Sequence, residues 1–340
     1  MSHRSVLLFG LVALIGAFLM TRWIGAPGYT DVYYHFNAAN RLASGQGLTD
    51  PYVWTYISAT NSLPMPSHLY WMPLTSVIAG VSMNLLNAPG DYAAAQLPFA
   101  LMFAATALVG YWLGWRIGGT RRHAWVAGLL TLFSGFYAKF WGEVDTFAPY
   151  ALIGSLCLVM IGAGLRPAPA LRRLIIWLVV GALAGLGHLT RADGLLVVLV
   201  GGLVIIWLGV RHALPVKSVF VSLAALTVGY LLVMLPYFAR NLSEIGTPLP
   251  LGGTQAIWFD EYNDIFNTPA DASPATLFAD GLGAFINGRR EALVNNISTF
   301  IAVEGWVIIT PLMLIGLWRR RHDSFLYPFV LYALGLHLAM

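Results

Sequence analysis

The chain alternates long apolar runs with short polar breaks. Nine runs have close to membrane length, near residues 5–24, 93–115, 124–141, 147–165, 174–190, 194–210, 217–238, 301–318 and 324–340. About 20 helical residues cross the hydrocarbon core of a bilayer. A tenth run, 73–88 (PLTSVIAGVSMNLLNA), is shorter and starts with proline. The basic residues decide how it is read. If 73–88 does not cross, Arg4, Arg116, Arg121, Arg122, Arg166, Arg172, Arg173, Arg211, Lys217, Arg319, Arg320 and Arg321 share one side. Arg22, Arg41, Lys139, Arg191, Arg240, Arg289 and Arg290 then share the other. Crossing would flip every later loop and reverse the bias. Cytoplasmic loops carry the excess of Lys and Arg. The run 73–88 is therefore expected at the outer interface, with a cytoplasmic N-terminus. Residues 25–92 and 239–300 become two large extracytoplasmic segments of one membrane-embedded domain spanning 1–340.

Composition sharpens this expectation. Of 340 residues 58% are hydrophobic and 10% charged, with a mean hydropathy of +0.71. Soluble domains carry about a quarter charged residues, so an ordinary globule is excluded. The net charge of +4 is scattered over short loops, which argues against nucleic acid as a partner. The one cysteine, Cys157, lies in an apolar run and builds no disulfide framework. Val6–Met20 resembles a signal peptide, but Thr21, Arg22 and Trp23 follow it where small residues would mark a cleavage site. It reads as a retained anchor. The last residue, Met340, falls inside an apolar run, as in a chain cut short of a C-terminal domain. There is no internal repeat.

Candidate chemistry sits at the outer ends of the runs. The stretch GYTDVYYHFNAANRLASGQG, residues 28–47, puts Asp31, Tyr34 and His35 just past the first run. Thr30 or Asp31 is suited to cap a helix and Gly45 or Gly47 to end it. That helix is too short to cross. Val32, Phe36, Ala39 and Ala43 give it one apolar face, as in a helix lying in an interface. Asp31 and His35 share a face. Glu143 and Asp145 (WGEVDTF), Arg191 and Asp193 (HLTRADG), and Arg240 (LPYFARN) fall at the same level. Ionisable groups near membrane depth are costly and tend to be functional. Each also has an ordinary structural role open to it. Asp31, Glu143 and Asp145 suit helix N-termini. Arg191 and Asp193 suit a local ion pair, and Arg240 suits snorkelling to headgroups. His35 and His68 suit plain hydrogen bonding. Tyr52, Trp54, Tyr56, Tyr70 and Trp71 suit an aromatic belt as well as stacking on sugars. Asp31, Glu143, Asp145 and His35 are conceivable ligands of a divalent metal, though without tight spacing. The segment WFDEYNDIF, residues 258–266, suits a lid or an exposed loop.

Taken in order, DVYYHFNAANRLASGQG, PSHLYWMPL, GEVDTF and LPYFARNLSEIGTPLP resemble the GT-C superfamily of integral-membrane glycosyltransferases. The nearest groups are the protein O-mannosyltransferase and aminoarabinose transferase relatives. The resemblance covers about residues 5–320. It implies an all-α polytopic bundle, here of about nine spans, with juxtamembrane helices in the first outer loop. It also implies a polyprenyl-phosphate sugar donor and an extracytoplasmic acceptor. Asp31 matches the first-loop aspartate, a base or acceptor-positioning carboxylate. Asp145, with Glu143, matches the second acidic position. Two features depart from the pattern. Met72–Pro73 stands where aminoarabinose transferases carry a lysine before proline, and Asp31 is followed by Val32 instead of a second acid. The string D-x-Y-Y-H is also similar to oligosaccharyltransferase catalytic subunits, whose Trp-Trp-Asp motif is not in these residues.

These observations lead to an expected mechanism. Asp31 serves as base, with Glu143 and Asp145 as the other catalytic carboxylates. Arg240, then Arg191 and Lys139, bind the departing phosphate, with Tyr34 and His35 on the donor side. His68, Tyr70 and Trp71 contact acceptor or sugar. A single displacement would invert the anomeric centre. A transporter or flippase is the rival reading, but it calls for polar mid-span residues, broken helices or repeats. A non-catalytic scaffold has no need of acids and arginines gathered on one side.

Overall fold

The computed structural model describes residues 2–53, 62–250, 252, 258–259, 264 and 272–339. Trp54, Tyr56 and most of 258–266 lie outside the described residues. The protein is all-α and polytopic. Among the described residues six helices are long and apolar enough to cross a membrane: His3–Arg22, Tyr92–Gly118, Phe147–Gly164, Ala170–Thr190, Ala192–Val210 and Val216–Ile245. Strand among the described residues is limited to Thr49–Asp50 and Met65–Pro66. The chain divides into two compact units. One holds Met1–Thr49 and Pro73–Leu156, the other Asp50–Met72 and Cys157–Met340.

In the first unit α1 (His3–Arg22) starts at Ser2, whose hydroxyl accepts from the Ser5 N–H. After α2 (Thr30–Ala43) and α3 (Leu74–Leu85), α4 (Tyr92–Gly118) starts at Asp91, whose carboxylate accepts from the N–H groups of Ala93 and Ala94. Gly119 closes α4 in the left-handed conformation at φ 73°, the usual glycine C-terminus. α1, α4 and α5 (Arg121–Leu132) pack through Phe9, Ala13, Ala17, Phe103, Ala107 and Leu132. Small residues let these backbones approach. A Cβ on Gly114 would sit 2.5 Å from the Cβ of Ala127.

Two expectations are corrected in this unit. The run 124–141 is not one helix. α5 stops at Leu132, Gly135 takes φ 68°, and a 3-10 helix covers Gly135–Gly142. The Ser-Gly break interrupts the run before it reaches membrane length. The apolar face of α2 meets protein and not an interface: Val32 and Ala39 are buried with Ala79 and Met83 of α3 and Ala95 and Phe99 of α4, and Phe36 and Ala43 pack against the same cluster. The twelve-residue α3 is too short to cross a bilayer, as expected for 73–88.

In the second unit, α7 (Ala170–Thr190) and α9 (Val216–Ile245) form the most extensive helix pair, with α8 (Leu195–Val210) against both. α6 (Phe147–Gly164) joins the same core through Cys157, Leu158 and Ile161, around the buried Trp177. The contact between α7 and α9 depends on two glycines. A Cβ on Gly181 would lie 2.0 Å from the Leu226 carbonyl oxygen, and one on Gly229 would lie 2.1 Å from that of Leu178. The runs 301–318 and 324–340 give shorter helices than expected. After α10 (Pro274–Leu277) and α11 (Gly281–Thr299), α12 is only Ile309–Arg319 and α13 only Tyr327–Ala339. Positive φ at Trp306 and Val307 breaks the first of these runs.

The glycine contact sets a test. Gly181→Leu forces α7 and α9 apart and is expected to cost about 1–3 kcal/mol or more, read as earlier thermal unfolding in mild detergent. Gly202→Ala in α8, where a Cβ meets open space, is expected to be neutral or to stabilise by under about 1 kcal/mol.

Candidate functional site

The acidic positions of the first unit come together where α2, α4 and the segment before α6 meet. Tyr29 holds the N-cap position of α2, with extended backbone and no side-chain cap bond. Asp31 is therefore not the cap. It lies in the first turn, where the helix dipole favours negative charge, and accepts a 3.4 Å hydrogen bond from the Thr30 hydroxyl. The Tyr29 hydroxyl donates to Asp145. Tyr92, the first residue of α4, donates its hydroxyl to Glu143. Glu143 is 6% exposed and Asp145 4%, so each buried carboxylate receives a phenol donor from an element distant in sequence. Buried charge is tolerated when it is hydrogen-bonded in this way. Gly28 passes so close that a Cβ would lie 2.9 Å from Oε1 of Glu143.

The 3-10 segment that carries these acids is fixed by aromatic packing. Trp141 stacks on Phe103 with centroids 5.2 Å apart, and its indole N–H donates to Ser134. Phe140 meets Tyr29 edge-on at 5.6 Å. Gln96 of α4 donates its amide to the Gly142 carbonyl at 3.0 Å, one residue before Glu143. The Thr146 N–H donates to Asp145, just ahead of α6.

Electrostatics ties the group together. Burial pushes the Glu143 carboxyl above its ordinary range, and the charge of Asp145 adds to this, while the Tyr92 hydrogen bond opposes it. Burial pushes the Tyr29 phenol far up, then Asp145, Glu143 and Asp31 push it further. Tyr29 thus stays a proton donor, within electrostatic reach of all three carboxylates. His35 is fully buried, with Nδ1 3.0 Å from the Ser76 hydroxyl. Burial pushes its imidazole down to about 4, against a smaller upward pull from Asp145. It is neutral at pH 7. Tyr34 is buried beside it, with ring centroids 5.6 Å apart. The exposed Lys139 lies over the rings of Phe136 and Phe140, at 5.1 and 4.8 Å.

The remaining candidates belong to the second unit. Arg240 is half-buried and donates from Nη2 to the Ser67 carbonyl at 2.9 Å and from Nη1 to the Asn241 side chain at 3.2 Å. His68 is fully buried at φ 60°, with Nδ1 2.7 Å from the Ser67 hydroxyl, and its carbonyl accepts from the Tyr237 hydroxyl. Tyr70 and Trp71 meet edge-on at 4.6 Å. Arg191 pairs with Asp193 at 3.0 Å, a partly exposed contact of the kind worth about 0–1 kcal/mol.

Among the described residues no group of three or more His, Cys, Asp or Glu side chains is placed to hold a metal ion. The set Asp31, Glu143, Asp145 and His35 therefore does not fit one: two of its carboxylates face phenols, and its imidazole faces Ser76. Sequence reasoning missed Tyr29, Tyr92 and Gln96. Tyr29 lies inside the stretch that drew attention, two residues before Asp31, and Tyr92 opens an apolar run. A polar side chain at the mouth of a run was the available signal.

No family profile and no curated protein matches this chain. Solved structures do. The chain is similar in fold to the Archaeoglobus fulgidus oligosaccharyltransferase in its complex with Zn and sulfate, at 13% identity and a TM-score of 0.53. That match covers 97% of this chain and 48% of the other. A second match is the archaeal oligosaccharyltransferase AglB from Archaeoglobus fulgidus with an inhibitory peptide and a dolichol-phosphate, at 15% identity and TM-score 0.49, covering 97% and 37%. The chain thus spans about half, or less, of the length of the structures it matches. At this identity the likeness concerns the fold: a polytopic helical fold also found in an oligosaccharyltransferase.

Two measurements follow from the site. Tyr29→Phe and Tyr92→Phe each remove a donor from a buried carboxylate and are expected to cost about 1.5–3 kcal/mol by thermal unfolding, the two changes being non-additive because Glu143 and Asp145 interact. His35 binds fewer protons folded than unfolded between its ordinary value of 6.5 and about 4. Stability is therefore full above pH 6.5 and falls as the pH drops through that window. His35→Gln should flatten the fall in a melting-temperature series.

Proposed function

We propose that this protein is an inverting glycosyltransferase that moves a sugar from a polyprenyl-phosphate, or similar lipid-phosphate, donor to an extracytoplasmic acceptor. The observation that carries the reading is the pair of buried carboxylates Glu143 and Asp145, held by the phenols of Tyr92 and Tyr29, with Tyr29 standing two residues before Asp31 at the start of α2. The fold it shares with an oligosaccharyltransferase supports it.

In this mechanism Asp31, half-buried and in the first turn of α2, takes the proton of the acceptor hydroxyl. The hydroxyl oxygen bonds to C1 as the C1–oxygen bond to phosphate breaks, and both electrons leave with the phosphate. A positioned carboxylate supplies about 10²–10⁴-fold in such a step. Glu143 and Asp145 already receive phenol hydrogen bonds, which suits them to hold the site's shape and charge while Asp31 moves the proton. Arg240 is the proposed phosphate contact. Its Ser67 and Asn241 bonds fix the guanidinium plane, and arginine matches phosphate oxygens bidentately. The neutral, buried His35 suits support of α2 against α3 better than a charge on the donor.

A second reading, an oligosaccharyltransferase-like catalytic subunit, is favoured by the likeness of fold. Asp31→Asn is expected to lower transfer from a polyprenyl-phosphate sugar in membranes by about a hundredfold or more. Arg240→Gln is expected to lower it by about 10²–10³-fold. NMR of the product reads the anomeric configuration. Undiminished transfer by Asp31→Asn removes that residue as base, and a retained configuration rules out single displacement.

A further inference from the structure

A cavity of about 280 Å³ opens between the C-terminal end of α1 and the N-terminal end of α4. Its volume falls near the lower end of small-molecule sites, about 300–1,000 Å³. Phe18, Leu97 and Ala100 make its wall apolar, and Thr21, Gln96 and Arg22 supply its polar groups. The exposed Arg22 has no hydrogen-bond, ion-pair or ring partner among the described residues. Beside it Trp23 is 90% exposed, as in the aromatic belt at a membrane–water boundary. From the cavity toward the membrane, α1 shows exposed Ile15, Leu14 and Leu11, and α4 shows exposed Leu101. A cation thus stands over an apolar hollow that continues into a lipid-facing apolar stripe.

We propose that this cavity binds one bilayer phospholipid with an anionic headgroup, its phosphate against Arg22 and the start of an acyl chain against Phe18, Leu97 and Ala100. Arginine holds phosphate through charge-assisted bonds, and the rest of the chain lies along the exposed leucines. The cavity is too small for a whole lipid, so the remainder of the acyl chain would lie outside it, along the exposed Ile15 and Leu101. The acidic group does not line it. The two are nevertheless linked: Gln96 lines the cavity and holds the Gly142 carbonyl, one residue from Glu143. The lipid would brace the helix face that sets the carboxylates. The inference goes beyond the proposed reaction and needs no transfer activity for its test.

The test is native mass spectrometry of the full chain in mild detergent, titrated separately with phosphatidylglycerol, diacylglycerol, inorganic phosphate and a polyprenyl phosphate. One phosphatidylglycerol per chain is expected, held about tenfold more tightly than diacylglycerol. Arg22→Gln should erase that preference. Leu97→Trp, which fills the hollow, should expel the lipid while thermal unfolding stays cooperative. Equal binding of phosphatidylglycerol and diacylglycerol overturns the proposal, as does a preference unchanged in either variant. Competition by inorganic phosphate at lipid concentrations would mean a plain anion site. Stronger retention of polyprenyl phosphate would mean a donor site. Either result also overturns the proposal.

Discussion

Two buried carboxylates must stay hydrogen-bonded, and much of the first unit is arranged around that requirement. An unpartnered carboxylate in the interior is expensive enough to neutralise itself or unfold its surroundings. Here the donors are the phenols of Tyr29 and Tyr92. Tyr29 must enter α2 at one angle and Tyr92 must open α4 at one height. At Gly28 an added Cβ would come within 2.9 Å of Oε1 of Glu143, so a side chain there would shift the carboxylate from its place beside Tyr92. The constraint reaches from the end of α1 to the start of α6 and links residues more than a hundred positions apart.

Helix packing supplies the rigidity that such a group needs. A hydrogen bond between side chains on separate helices is only as well placed as the helices. In lipid, helices hold one another by close backbone approach more than by hydrophobic exclusion. Gly114 against Ala127 in the first unit and Gly181 and Gly229 in the second provide that approach. The 3-10 segment Gly135–Gly142 cannot use this device. It is held instead by aromatic contacts of Trp141 and Phe140 and by the Gln96 amide. This irregular backbone directly precedes Glu143, so its position is decided by side-chain packing.

Which parts were legible in the sequence follows from the range of each interaction. Uninterrupted apolar runs are local, and six of them became long helices. The shortness of the helix in 73–88 was legible from its proline and its length. The break of 124–141 was not, because Ser134 and Gly135 carry the same composition as an unbroken span and only φ at Gly135 reveals the turn. The apolar face of α2 was legible as a face, but its partner was not. Val32 and Ala39 share a cluster with residues of α3 and α4 that are far away in sequence, and amphipathicity alone does not distinguish lipid from protein. The grouping of Glu143 with Asp145 was legible from spacing. Their phenol donors were not, since each tyrosine is adjacent only in space.

Burial of the imidazole at position 35 shows why residue type alone ranks candidates poorly. Histidine beside aspartate on one helix face suggests shared chemistry. The two side chains nevertheless meet different surroundings, because His35 lies one turn further along α2, against Ser76 of α3, while Asp31 stays half-exposed in the first turn. Desolvation then removes the charge that a phosphate contact requires. A cation serving an anionic ligand must keep enough solvent or counter-charge to stay ionised. Arginine meets that condition at almost any depth because its proton is never released in proteins. In a chain this apolar, a lasting positive charge is therefore kept by the guanidinium groups and not by an imidazole buried as His35 is.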